Sequence, residues 1–213
     1  MRSLAFVAIV AAIVASPLAS AQVIEFESGG LRYQTLSRNG LTVMFASLPV
    51  AIREYSVIQV AVSNGSPAAR TIKPEDFRFL RADGTVLPAM AARAVVEEFL
   101  NKANRNDVIK LVGTYELGLY GLSRFTSTNG YEVRRQNALA EVQSSRLKAA
   151  AAASAIAFVN SKLPPGESTD GAVFFATKGL PLGPGKLIVT PGAERFEFEV
   201  GGDKHPGELI RRQ

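Results

Sequence analysis

The chain has 213 residues, 47% of them hydrophobic, and a formal net charge of +5. That length suits one domain with an insertion, or two small domains, and the apolar fraction is enough for an ordinary core. There is no cysteine, which excludes a disulfide scaffold and a Cys-based zinc site and leaves stability to packing.

The first segment reads as an export signal. Arg2 is a short positive region, Leu4–Val14 is apolar, and Ala19-Ser20-Ala21 puts small residues at the −3 and −1 positions of a cleavage site. Cleavage between Ala21 and Gln22 is expected, giving a periplasmic or extracellular chain. The competing reading, a membrane anchor, fails on length: the apolar run is shorter than the ~20 residues of a spanning helix, and Pro17 breaks it. No cysteine follows, so no lipoprotein anchor is expected, and no later apolar run is long enough to span a bilayer.

Strand signals come next. Val23–Glu27 is followed by Gly29-Gly30, and Leu31–Leu36 and Leu41–Ala46 flank Asn39-Gly40. An Asn-Gly pair can fill both φ > 0 positions of a type I′ turn, so a hairpin is expected. Tyr55–Ser63 is the longest strand candidate. Its alternation of Ile58, Val60 and Val62 with Gln59, Ala61 and Ser63 predicts one buried face. Asn64-Gly65-Ser66-Pro67 turns the chain. Asn64-Gly65-Ser66 also matches a glycosylation acceptor, which a tight turn explains equally well. In Thr71–Phe77, Pro74 favours a single helical turn, with Glu75 and Asp76 at its positive end. Phe77–Leu80 and Thr85–Leu87 are short strands around Asp83-Gly84.

From Ala89 to Lys162 the period changes to that of helices. Ala91–Ala103 carries Ala92, Val95, Val96 and Phe99 on one stripe. Asp107–Leu122 carries Val108, Leu111, Val112, Tyr115, Leu119 and Leu122, with Asn106 or Asp107 as N-cap. Glu132–Lys162 reads as one long helix, stopped by Pro164-Pro165-Gly166. Strands return at Gly171–Lys178, Lys186–Thr190 and Glu194–Val200, ahead of a polar tail. The expected fold is mainly β with an α-helical insertion: an antiparallel sandwich plus about three helices. Its boundaries are 1–21 for the signal, 22–88 and 163–201 for the sandwich, 89–162 for the insertion and 202–213 for the tail.

The strings VIQVAVSNGS and IKPEDFRFLRADGTVLP, followed by LPPGESTDGAVFFA, PGKLIVT and ERFEFEV, resemble the immunoglobulin-like sandwich domains of many exported bacterial proteins. The resemblance covers Leu31–Leu87 and Leu163–Val200 and omits the helical block. Most such domains have no assigned activity, so it implies a fold and an export context, not a reaction. The Cys pair and Trp of antibody-type cores are missing here.

No catalytic, cofactor-binding or metal-binding residues are expected. Asp203, His205 and Glu208 sketch a metal site, but in a tail expected to fray. With one histidine there is no HExxH, and no G-x-S-x-G elbow is present. Gly179–Lys186 has Leu180 where a phosphate loop needs Gly and Leu187 where it needs Ser or Thr. Glu75/Asp76 and Glu97/Glu98 are sequence neighbours, which do not face each other on a helix.

The basic balance reads as solubilising charge, with peripheral attraction to an anionic envelope surface as the alternative. No nucleic-acid partner is expected, because Arg134-Arg135 and Arg211-Arg212 are the only adjacent basic pairs. The helical block remains. Its second helix adds Ile109, Leu117 and Tyr120 off the main stripe, and a helix apolar nearly all round is buried or meets a partner. Packing within the chain is one reading. The sharper one makes Val108, Leu111, Val112, Tyr115, Leu119 and Tyr120 an interface with an envelope protein, a second copy or a membrane surface. The leading expectation is thus a non-catalytic binding or assembly module of the cell envelope. Two alternatives stand beside it: a carbohydrate-active or other envelope hydrolase using paired carboxylates, and a self-associating structural subunit.

Overall fold

The computed structural model describes residues 22–49, 51–107, 109–111, 113 and 144–201. The chain is mainly antiparallel β. Strands β1 (Ile24–Ser28), β2 (Leu31–Arg38), β3 (Leu41–Ser47), β4 (Tyr55–Asn64), β5 (Arg70–Ile72), β6 (Phe77–Arg81) and β7 (Val86–Pro88) precede helices α1 (Ala92–Lys102) and α2 (Ser145–Ile156). Strands β8 (Ser161–Leu163), β9 (Ser168–Ala176), β10 (Gly185–Val189) and β11 (Phe196–Val200) follow. One open sheet has the order β1-β2-β3-β4-β9, a second β11-β10-β6-β7, and β5 pairs with β8 alone. Among the described residues no helix is long and apolar enough to cross a membrane.

Local chemistry sets the turns. Asn39 and Gly40 both take positive φ, 47° and 77°, and join β2 to β3 with Arg38 opposite Leu41. This is the twist a two-residue hairpin needs. The Gly40 carbonyl accepts the Gly65 N–H at 2.7 Å, which clips this hairpin to the turn after β4. Pro74 opens a 3-10 turn whose Asp76 carboxylate accepts the Lys73 N–H at 2.8 Å.

Alternate side chains of the two large sheets meet in one core. Val43, Phe45, Val60, Phe77, Phe79, Phe175 and Phe198 are buried there. The rings meet edge to face, Phe45 with Phe198 at 5.0 Å and Phe79 with Phe175 at 6.2 Å, the geometry favoured by the ring quadrupole.

The sheets differ from the sequence expectation in one main respect. The one-sided strand at Tyr55–Ser63 is buried on both faces. Ile58, Val60 and Val62 do enter the inter-sheet core. Tyr55, Val57 and Ala61, however, join a second core with Val95, Phe99, Leu111 and the alanines of α2. Helices cover the outer face of the first sheet, so even Gln59 is 1% exposed.

The long helix also ends earlier than expected, at Ile156 rather than Lys162. Ala157 bridges Ala172 in parallel, and Phe158 donates its N–H to the Ala172 carbonyl at 2.8 Å. Phe158 and Leu163 enter the inter-sheet core, so Ser161–Leu163 is a strand. Burying these two apolar side chains between the sheets outweighs the propensity of the alanine run to continue.

Candidate functional site

The helical layer is held at the start of β4 by Arg53 and Tyr55, which meet Asp107 and Glu98 of the helical segments. Arg53 takes positive φ, 54°, in the turn before β4. Its Nη1 donates to the Lys102 carbonyl at 2.8 Å, at the C-terminus of α1, and meets Asp107 Oδ2 at 3.2 Å. A cation at those last carbonyls is where the helix dipole favours one. The Tyr55 ring lies between Phe99 (6.2 Å) and Phe174 (5.9 Å), and its hydroxyl donates to Glu98 Oε2. Burial, and then this carboxylate, push the Tyr55 phenol well above its ordinary value.

The next helical segment is capped by Asn104, not by Asn106 or Asp107. Asn104 Oδ1 accepts the N–H groups of Asn106 (2.8 Å) and Asp107 (3.2 Å). Asp107 Oδ2 accepts the Asn104 N–H in return at 2.9 Å, the reciprocal arrangement of a capping box.

These contacts decide the fate of Leu111. Expected at an interface, it is 0% exposed and sits in the core under the helices. Its helical spacing was an inward-facing stripe, which apolar periodicity alone cannot distinguish from a partner-facing one. Val108, Val112, Tyr115, Leu119 and Tyr120 lie outside the described residues. So do Ala19 and Ala21; Gln22 is exposed. Glu97 and Glu98 diverge: Glu97 pairs with Arg93 in solvent at 2.9 Å, and Glu98 faces Tyr55.

An open concavity lies elsewhere. Arg70, Thr71, Lys73, Asp76, Thr190 and Gly192 line an open groove of about 600 Å³. It contains one carboxylate, Asp76, raised from its ordinary value mainly by burial. The carboxylate pair of a glycosidase is not assembled there. Lys186 of the glycine-rich turn lies on β10 and pairs with Glu199 at 2.7 Å, so no helix N-terminus follows that turn. Among the described residues, no three His, Cys, Asp or Glu side chains gather as metal ligands. Asp203, His205 and Glu208 lie outside the described residues.

A buried phenol gives the helix-covered face a pH signature. Tyr33 donates to Gln59 Oε1 at 3.2 Å and is 1% exposed. Burial pushes its pKa from 10.0 up to about 12. A raised folded-state value means that the stabilisation is complete below the unfolded value and is lost as pH climbs toward the folded one. Stability should therefore fall between about pH 10 and 12. Tyr33→Phe should narrow the wild-type-minus-variant difference in urea midpoint between about pH 9 and pH 11. A constant difference would exclude the phenol as the source.

No family model, no curated protein and no solved structure matches this chain.

Proposed function

We propose that the chain is a non-catalytic, immunoglobulin-like module exported to the cell envelope, where it binds a partner protein through the solvent side of its helical layer. Two antiparallel sheets with a shared aromatic core support the sandwich reading. One observation carries the binding reading. The inner side of the helices is consumed by the chain's own sheet, yet Leu100, Ile109 and Leu147 remain 41%, 60% and 48% exposed. On the same helical segments, among the described residues, Arg93, Lys102, Arg105, Lys110 and Arg146 are exposed and Lys148 is half-buried, against Glu97 as the exposed acid. The complementary partner is a protein with an apolar patch rimmed by carboxylates.

Excising the helices would not test this, because it would uncover Tyr33, Tyr55, Val57 and Phe174. The test is a triple variant, Leu100→Ser, Ile109→Ser and Leu147→Ser, on an otherwise intact fold. Crosslinking in native envelope should capture a defined protein with the wild type. The purified partner should then bind wild type in a salt-sensitive manner and lose most of its affinity for the folded variant. Equal binding of the two would remove the helical surface from the reading. A wild-type dimer in light scattering that the variant lacks would replace the partner by a second copy.

A further inference from the structure

The sheet edges are treated unequally. The outer side of β9 is bridged by Ala89 and Ala157. β7 has three residues and ends in Pro88. On β11 the Glu199 carbonyl accepts Gln34 Nε2 at 2.7 Å. Among the described residues, none of these protections falls on Ile24–Glu27 of β1. Among the described residues β1 pairs with β2 only, and Ile24 to Glu27 are all exposed, with Ile24 at 60% and Phe26 at 38%. An unprotected edge strand is a template for another strand.

We propose that the outer edge of β1 receives an extended partner segment in which apolar residues alternate with lysine or arginine. This surface is separate from the helical one, and the inference does not depend on that reading. The side chains choose the occupant. Ile24 and Phe26 point to one face, where Phe26 stacks on Tyr33 at 5.2 Å and stays partly exposed. Glu25 and Glu27 point to the opposite face. Gln34 Nε2 holds Glu25 Oε1 at 2.7 Å and so fixes that carboxylate at the rim. An incoming strand therefore meets an apolar row and an acidic row at once.

A second copy does not fit. In an antiparallel β1–β1 pair, both registers that set Ile24 and Phe26 on apolar or neutral neighbours within Ile24–Ser28 also set Glu25 or Glu27 opposite another glutamate. Shifting by one residue sets carboxylates opposite Ile24 and Phe26 instead. Like charges directly opposite are destabilising, so the sequence of this edge disfavours its own copy and favours a basic alternating strand.

The test uses the purified protein and short blocked peptides. The probes are a Val/Lys alternation, a Val/Glu alternation, and a peptide of the first composition in blocks. Fluorescence anisotropy should show binding of the Val/Lys alternation alone. The Glu25→Lys/Glu27→Lys variant should bind it about tenfold more weakly and should gain affinity for the Val/Glu peptide. Glu27→Lys alone should move both in the same direction, which covers misfolding of the double variant. N-methylating alternate residues of the Val/Lys peptide should abolish binding in one register and spare it in the other, because only one set of N–H groups faces β1. The proposal is overturned if no alternating peptide binds, if the block peptide binds equally well, or if the charge reversal leaves the preference unchanged.

Discussion

Replacing Asn64 with alanine will cost the fold about 3–5 kcal/mol, read as a lower urea midpoint at unchanged slope. Asn64 is 0% exposed. Its Nδ2 donates to the carbonyls of Ala68 and Leu163, both at 2.8 Å. Its Oδ1 accepts the Ser66 N–H at 3.0 Å and the Ser66 hydroxyl at 2.7 Å. The backbone adds a bond from Asn64 N–H to Glu167 O at 2.9 Å and one from Gly166 N–H to Asn64 O at 2.6 Å. The side chain thus ties the turn after β4 to β8, while the backbone of the same residue joins the end of β4 to the turn before β9.

Alanine would leave the Leu163 carbonyl and the Ser66 N–H without this partner inside the fold, at about 1–3 kcal/mol for each that stays unsatisfied, whereas the Ala68 carbonyl keeps the Ser66 hydroxyl at 3.0 Å. Partial relaxation keeps the sum below the simple total. Asn64→Asp should be no milder, since a carboxylate would face the two carbonyls that the amide now serves. The same bonds dispose of the glycosylation reading: both amide hydrogens are committed inside the fold. A loss under about 1 kcal/mol for Asn64→Ala would refute the hub.

The parts of the fold written in local chemistry were legible in the sequence. The Asn39-Gly40 hairpin, the Pro74 turn and the alternation of Phe196 and Phe198 with glutamates need only neighbours along the chain. The second face of β4 did not announce itself. Gln59, Ala61 and Ser63 read as an outward row, and nothing local says that helices ~40 to 90 residues later will cover them. Helix α2 is obscure for a related reason. Its alanines are buried on several sides, and a helix of small side chains has no apolar stripe that separates inside from outside.

The candidate site was less legible than the fold. Leu111 carried a correct helical period whose direction needed tertiary contacts to resolve. The seat made by Arg53, Tyr55, Glu98 and Asp107 joins a turn, a strand and two helical segments through polar atoms, and none of those spacings forms a motif. The edge at Ile24–Glu27 was read as a first strand, but strand order decides whether it ends a sheet or lies inside one.

Gly171→Ala tests where the two cores join, and it should destabilise the protein by about 2–4 kcal/mol. A Cβ on Gly171 would lie 2.6 Å from Phe158 Cα and 2.8 Å from its N. Those are backbone atoms, so no rotamer change relieves the contact. The strands would have to move apart and stretch the Phe158 N–H bond to the Ala172 carbonyl, now 2.8 Å. Phe158 would also be drawn from Phe77, whose ring it meets at 5.4 Å in the inter-sheet core.

The position is a hinge between layers. Ala157 and Ala172 belong to the core under the helices, while Phe158 and Val173 belong to the core between the sheets. Hydrogen exchange should therefore show faster amides in α2 and at the start of β8 than in the β2–β3 hairpin, which makes no contact with this crossing in the register of its own strands. Uniform acceleration across all strands would mean that the layers open as one unit, and the helical layer would then have no separate stability on which a binding surface could be tuned.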